Sequence, residues 1–330
     1  MASLKDIAKD LNISVSLVSK VLNGNLGTSG ASAETAAAIR RRAVEIRYQR
    51  NTSALALRSG RHNVLGVFIH KVGTEASGIS ESMVDAISEE AQRYNQRLFL
   101  SFYQSPEELK SLFLQAQRGL IDGLIVGGII HKDLIPWLLR VRTDGLPVVT
   151  IHDSPTHPKL PNARTDQEEV ARVATQHLIT QGCRHIGMID YNVDRYQGYV
   201  NALQTADLPI DKELIFSTDS FLYAEGERAA TYFLDKKLPI DGIFAQSDQL
   251  AIGALNTLLK AGVKVPQQVR IIGVDNSPFC EFSLVKLSSI YQNHPTRGRY
   301  AVQMLMEQIS GKSVSSVSVE PVLKIRESSL

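Results

Sequence analysis

The chain has 330 residues, with 36 Lys or Arg against 34 Asp or Glu, a net charge of +2. Its two cysteines, Cys183 and Cys280, exclude a disulfide framework and fit free buried thiols in a reducing cytosol. No apolar run is long enough to span a membrane and no apolar signal stretch opens the chain, so a cytoplasmic protein with no membrane partner is expected.

The near-neutral total hides a division. Up to Arg61, ten Lys or Arg face four acids, a surplus of six, so the remainder is about four negative. A basic head on a mildly acidic body is the charge footprint of a nucleic-acid-binding module.

Within that head, Ser3 is a candidate N-cap with Asp6 three residues on. Leu4, Ile7, Ala8 and Leu11 follow at helical spacing. Asn12 suits the left-handed conformation that ends a helix. Ser14 then caps a second helix whose apolar positions are Leu17 or Val18, Val21 and Leu22, with Asn23-Gly24 as the stop. Its other face carries Val15, Ser16, Ser19 and Lys20. Short side chains let such a helix sit deep in a DNA major groove. Lys20 can reach guanine O6 and N7, and Ser14 or Ser19 can bond phosphate. The competing reading is an ordinary helical hairpin with a solvated polar face. Ser32 caps a third helix reaching about Tyr48. Ala36, Ala37, Ile39, Ala43, Val44 and Ile46 are its expected apolar contacts, and Arg40, Arg41, Arg42 and Arg47 decorate it.

From Val64 onward, short apolar runs alternate with helical segments. VLGVFI, RLFLSFY, DGLIVGG, LPVVTI, HIGMID, ELIFST, GIFAQ and RIIGVD read as strands. Residues 83–94, 107–118, 168–181, 196–205, 223–236, 248–261 and 296–310 read as helices. The alternation predicts doubly wound parallel sheets, and about 270 residues is long for one sheet, so two lobes are expected. Ligands of such sheets bind at the carboxyl ends of strands. Asp190, Ser247, Asp248, Asp275 and Asn276 stand at such ends, and their carboxylates, amides and hydroxyls suit a hydroxyl-rich ligand. The structural alternatives are an N-cap role for Asp248 and a turn role for Asp275. No nucleophile elbow, phosphate loop or dinucleotide fingerprint is present, so no enzyme activity and no cofactor are expected. Eight histidines form no zinc-like spacing, so no metal is expected.

These segments, taken in order, resemble the LacI/GalR family of bacterial transcription regulators. The resemblance runs through LKDIAKDLNISVSLVSKVLNG, YQRNTSALALRSGRHNVLGV, GCRHIGMID, RYQGYVNAL, DGIFAQSDQLAIGAL, GVKVPQQVRIIGVDN and VLKIRESS, which is nearly the whole chain. It implies a small all-α helix-turn-helix head, residues 1–48, and a hinge, residues 49–61. It further implies an α/β core resembling a periplasmic binding protein, residues 62–330. The first lobe would span about 62–162 and 294–320, and the second about 163–293. Crossings are expected near Asn162, Asn293 and Pro321, with 321–330 as a strand at the crossover. The partners implied are double-stranded operator DNA of pseudo-palindromic sequence, a second copy of the chain and a small-molecule effector.

Carried onto this sequence, Val15, Ser16 and Lys20 would face bases, and Ser14, Ser19 and Asn23 phosphates. The hinge starting at Asn51 would fold on DNA, with Leu57 as a minor-groove wedge. Arg195 and Phe221 match effector-contact positions, Phe221 being otherwise a core residue. Ser77, Gly78 and His152 are first-lobe candidates. Several positions depart from the pattern: Lys20 for Arg, Leu17 for Thr, Arg50 for Pro, Leu55 for Arg. HKVGTEASG also replaces a common Asn-Pro-Phe-Phe loop. The operator sequence therefore does not carry over. The expected function is a ligand-responsive repressor of carbohydrate-utilisation genes. The alternatives are a regulator answering to a nucleobase or sugar phosphate, a sugar receptor without a DNA role, and an enzyme on sugars or nucleosides.

Overall fold

The computed structural model describes residues 2–22, 31–48, 60–71, 78–118, 121–154, 156–191 and 193–330. Contacts divide the chain into residues 1–62 and 63–330.

The first unit is α1 (Leu4–Asp10), α2 (Val15–Leu22) and α3 (Ala33–Glu45). Local chemistry sets each start. The Asp6 carboxylate accepts from the Ser3 N–H at 2.8 Å and the Ser3 hydroxyl at 2.9 Å. Ser14 Oγ accepts from Leu17 N–H, and Ser32 Oγ from Thr35 N–H, both at 3.1 Å. Asn12 takes φ 52° between α1 and α2. Ile7, Val18 and Ile39 are fully buried at the centre of this small core, with Ala8, Val21, Ala36 and Ala43 around them. The Arg42 guanidinium donates twice to Asp10, at 2.9 and 2.7 Å, tying α3 to α1. Val44 is not a core residue: it is 78% exposed, and Ala37 is exposed too. The buried stripe of α3 is Ala36, Ile39 and Ala43, and at 3.6 residues per turn Ala37 and Val44 each point roughly 100° away from it.

The second unit begins with β1 (Val64–His70), α4 (Ile79–Arg93), β2 (Arg97–Tyr103), α5 (Pro106–Arg118), β3 (Gly123–Gly127), α6 (Leu134–Thr143) and β4 (Val148–Ile151). These strands form an all-parallel sheet in the order β2-β1-β3-β4. The chain then passes through β5 (Ala163–Thr165), α7 (Gln167–Thr180), β6 (Ile186–Asp190), α8 (Val193–Thr205), β7 (Ile215–Ser217), α9 (Tyr223–Asp235) and β8 (Gly242–Ala245). It continues with α10 (Asp248–Lys260), β9 (Arg270–Val274), α11 (Phe279–Phe282), β10 (Ser288–Tyr291), α12 (His294–Ile309), β11 (Val317–Val319) and β12 (Val322–Lys324). The second sheet has the order β12-β10-β9-β8-β6-β7.

Three passages link the sheets. One runs from β4 through β5, one from β10 to α12, and one from β11 to β12. α12 packs on α4 and over the first sheet, while β11 and β5 pair as a separate parallel ribbon. The C-terminal segment was expected at the crossover. Instead β12 lies antiparallel to β10 at the edge of the second sheet, unlike the parallel pairs elsewhere in that sheet. The β10 edge offers unpaired backbone groups, and pairing the returning chain there satisfies them. Ser328 and Ser329 are then fully buried behind it, bonded at 2.7 Å to the Ile271 carbonyl and the Ser288 hydroxyl.

The helices α9 and α10 cross where Gly226 and Gly253 face each other, and a Cβ on Gly253 would meet the Tyr223 carbonyl. Gly253→Val is therefore expected to destabilise this unit by about 3 kcal/mol, the upper end for overpacking. A urea titration reads the loss.

Candidate functional site

Two regions carry candidate chemistry. On the first unit, Ser14, Val15, Ser16 and Lys20 lie exposed along α2, and Ser19 is half-buried beside them. Val18 and Val21 hold the opposite face in the core. Arg40, Arg41 and Arg47 are exposed on and after α3. The exposed face of α2 thus presents small side chains and one amine. The expected contacts Asn23, Asn51 and Leu57 fall outside the described residues, as does Ser77 of the second unit.

In the second unit, four adjacent parallel strands, β6, β8, β9 and β10, end together. Asp190 closes β6, and Gln246, Asp275 and Gln292 follow β8, β9 and β10. Hydrogen bonds run between these ends. Arg195 Nε donates to Gln167 Oε1 at 2.8 Å, Gln167 Nε2 to Gln292 Oε1 at 2.8 Å, and Gln292 Nε2 to Asp275 Oδ1 at 2.6 Å. Arg195 also donates to the Gln246 carbonyl. Gln246 Nε2 donates to Asp190 Oδ1 at 2.9 Å. Burial raises the Asp190 pKa, and the bond from Gln246 opposes that. Asp275 holds φ 107°, a conformation rare for a side-chain-bearing residue, and its neighbour Asn276 holds φ 54°. Such backbone persists only where surrounding contacts fix it. Here the Asp275 N–H donates to the Ile290 carbonyl at 2.8 Å while its carboxylate is held by Gln292.

The first sheet supplies His152 and Asp153, just beyond β4. His152 Nδ1 donates to the Gly128 carbonyl at 2.8 Å, and the His152 N–H to Asn162 Oδ1 at 2.9 Å. Asp153 accepts from Arg297 of α12 at 2.9 Å. Next to it, Ser154 Oγ donates to Asp194 of α8 at 2.7 Å, a direct bond between the lobes.

A cavity of about 850 Å³ opens nearby, where Lys71 and Gln104 face Tyr191, Phe221, Tyr223, Gln249 and Phe279. Tyr191 and Phe221 meet edge to face, ring centroids 5.4 Å apart. Of the effector candidates named above, Phe221 lines this cavity, Asp190, Arg195 and Asp275 belong to the polar network, and His152 bonds the Gly128 carbonyl and Asn162.

Residues 175–329 match the model of the periplasmic binding protein-like domain. The chain is 26% identical over 337 residues to the HTH-type transcriptional repressor PurR of Mannheimia succiniciproducens, covering 99% of this chain and 98% of that one. The solved complex of the transcriptional regulator CelR with cellobiose superposes with TM-score 0.73 at 25% identity, over 99% of this chain and 100% of that one. The Lac repressor dimer, bound to operator and the anti-inducer ONPF, shares the fold with TM-score 0.84 at 18% identity, over 100% and 99% of the two chains. Over nearly its whole length the chain is similar to transcriptional repressors that resemble the LacI/GalR family.

Two of the expected effector contacts have other duties. Asp248 was expected at a strand end to suit a ligand or to cap the next helix, but its carboxylate is buried. Oδ1 accepts from Ser289 Oγ at 2.6 Å, and Oδ2 from the Ser277 N–H at 2.6 Å and the Cys280 thiol at 3.2 Å. It pins α10 to β10 and to the turn before α11. Ser247 is the cap of α10, accepting from Leu250 N–H at 3.1 Å and donating to the Phe221 carbonyl at 2.9 Å. The sequence reading missed Asp153, Gln167, Gln246, Gln292, His294 and Arg297. Gln246 directly follows a readable strand, so its place was available. Gln292 follows SSIY, whose two serines mask the strand.

Proposed function

We propose that this protein is a ligand-responsive, sequence-specific DNA-binding repressor of the LacI/GalR type that docks as a homodimer on a pseudo-palindromic operator. The observation that carries the reading is the exposed Val15-Ser16-Lys20 face of a capped, tightly packed three-helix unit, set on a chain whose remainder is a two-lobed α/β core. Lys20 and the neighbouring Val15 and Ser16 read base edges, and Ser14, Ser19 and Asn23 meet phosphates. The hinge from Asn51 folds on DNA, and Leu57 wedges a base step at the operator centre.

The ligand acts by differential affinity for two lobe arrangements, since equal binding to both would shift nothing. The carboxylate, amide and guanidinium groups at the strand ends suit a hydroxyl-rich molecule, with a sugar as the first choice. The cellobiose complex of CelR lends support from a relative.

The exposed apolar side chains Leu222, Phe279, Phe282 and Leu284 share one cavity rim, and we assign them to the face that meets the second copy. Contiguous apolar surface of this kind marks an association site.

The deciding experiment is binding to randomised palindromic duplexes across a salt series. Specific binding that weakens steeply on a log–log plot is expected, and Lys20→Ala should flatten base preference in the selected sites. Failure to bind any palindromic duplex, with and without a sugar and nucleoside panel, rejects the reading.

A further inference from the structure

We propose that the effector carries an oxyanion, a carboxylate or a phosphate, that replaces the Asp153 carboxylate against Arg297 and Arg195. The inference rests on the ligand-responsive reading above and names the chemical class of its ligand.

Cationic or ionisable groups from three separate segments converge on Asp153. His152 is its neighbour beyond β4, Arg195 comes from α8, and His294 and Arg297 come from the first turn of α12. Arg297 Nη2 lies 2.9 Å from Asp153, its Nε donates to the Ala163 carbonyl at 3.3 Å, and its Nη1 is 3.3 Å from His294 Nδ1. Burial works against the Asp153 charge, yet Arg297, Arg195, His152 and His294 outweigh it and hold the carboxyl down at about 2.

Exposure separates the two sides of this cluster. The Arg297 side chain is 4% exposed against 36% for Asp153, and Arg195 and His294 are buried as well. The guanidinium groups of Arg297 and Arg195 are held inside, and half-buried Asp153 is the more exposed partner of the Arg297 pair. His294 Nε2 adds an independent sign of a place for a ligand atom: it is buried without a hydrogen-bond partner, 3.7 Å from Asp275 Oδ1.

A buried guanidinium stripped of its counter-charge is strongly unfavourable. A neutral ligand that pushed Asp153 aside would incur that penalty. A ligand bringing its own oxyanion would not, and a guanidinium fork matches both carboxylate and phosphate. Displacement also reaches the lobe contact, because Ser154, bonded to Asp194 across the cleft, is the next residue. Entry of the oxyanion therefore acts beside one inter-lobe bond and offers a bridge from Arg297 beside the first sheet to Arg195 of the second lobe.

The test uses the full chain, with Asp153→Asn, Arg297→Met and the double variant melted in sodium chloride, acetate or phosphate at matched ionic strength. Asp153→Asn is expected to lose about 5 °C in chloride. Acetate or phosphate should restore most of that loss, by filling the vacated position. The wild type and the double variant should respond alike to all three salts. Should Asp153→Asn fold only in acetate or phosphate, that is the same result in stronger form. D-gluconate and D-glucose 6-phosphate then separate carboxylate from phosphate, each expected to bind Asp153→Asn at least about tenfold more tightly than wild type, with neutral D-glucose unaffected. The proposal is overturned if Asp153→Asn is as stable as wild type, if chloride restores it equally, if it folds in none of the salts, or if restoration survives Arg297→Met. Those outcomes leave the salt-dependent DNA binding intact, whereas loss of DNA binding removes the regulator reading itself.

Discussion

A Phe282→Glu/Leu284→Glu double variant is expected to sediment as a monomer and to lose operator affinity by about 10²–10⁴-fold. Phe282 is 83% exposed and Leu284 is 84% exposed, although each is flanked by apolar neighbours on the same rim, Leu222 and Phe279 among them. A monomer in water gains nothing from that arrangement; burial between two copies removes the area from solvent and stabilises the pair. The loss on DNA follows from geometry. One three-helix head makes few base contacts, so the second head adds affinity through its high effective concentration once the first has bound. Two carboxylates at the contact repel their counterparts and leave each head to bind alone. Sedimentation equilibrium and an operator titration read the two effects. Binding to non-specific DNA at low salt should change far less, because it depends on head charge. A variant that stays dimeric, or a monomer with undiminished operator affinity, would sink the assignment of this face.

The parts of the molecule legible in the sequence are those governed by local chemistry. Ser3 with Asp6, Ser14 and Ser32 announce helix starts because a side chain must satisfy nearby backbone groups, and the bonds form where the spacing requires. β1, β3, β6, β8 and β9 are continuous apolar runs because both faces of a parallel sheet are covered. The elements that escaped are short and depend on distant pairing. β5, β10 and β11 are three or four residues each and include Arg164, Ser288, Ser289 and Ser318. Nothing local marks them as strands; partners up to 154 residues away do, as when Ala163 pairs with Val317. α6 escaped because LIPWLLRVRT carries Pro136 near its start and reads as an apolar run broken by a turn residue.

The polar cluster at the strand ends divides the same way. Asp190 and Asp275 were legible because they close readable strands. Arg297 was not, since in PTRGRY it looks like one more charge on a helix surface. Only the fold of α12 against the first sheet brings it to Asp153, 144 positions earlier in the chain. Asp248 also follows a readable strand, but nothing local signals that Ser277, Cys280 and Ser289 surround its carboxylate.

That enclosure makes Asp248 the origin of an inverted pH response. Burial is the largest influence on its carboxyl and pushes it up; the charge of Asp275 adds to this, and the bonds from Ser289, Ser277 and Cys280 pull it back to about 7. In the unfolded chain the same carboxyl titrates near about 3.9. Between those values the folded protein retains a proton that the unfolded chain releases, so the stabilising contribution is complete below about pH 4 and is lost as pH rises toward 7. The wild-type unfolding free energy is therefore expected to carry a falling component of up to about 4 kcal/mol across that window. Asp248→Asn should remove it. The amide keeps the shape, its oxygen can accept from the Ser277 N–H, and its NH₂ can donate to Ser289 Oγ once that hydroxyl rotates. Urea titrations from pH 4.5 to 8 should show the variant gaining on wild type as pH rises; parallel profiles would refute the assignment. Asp153 supplies the opposite sign in a separate window. With its carboxyl held at about 2 by Arg297 and its neighbours, its contribution is present above about pH 4 and lost as pH falls toward 2. Asp153 thus contributes stability that acid removes and Asp248 stability that rising pH removes, because Asp153 is ringed by guanidinium and imidazole groups while Asp248 is sealed among hydroxyls, a thiol and a second acid.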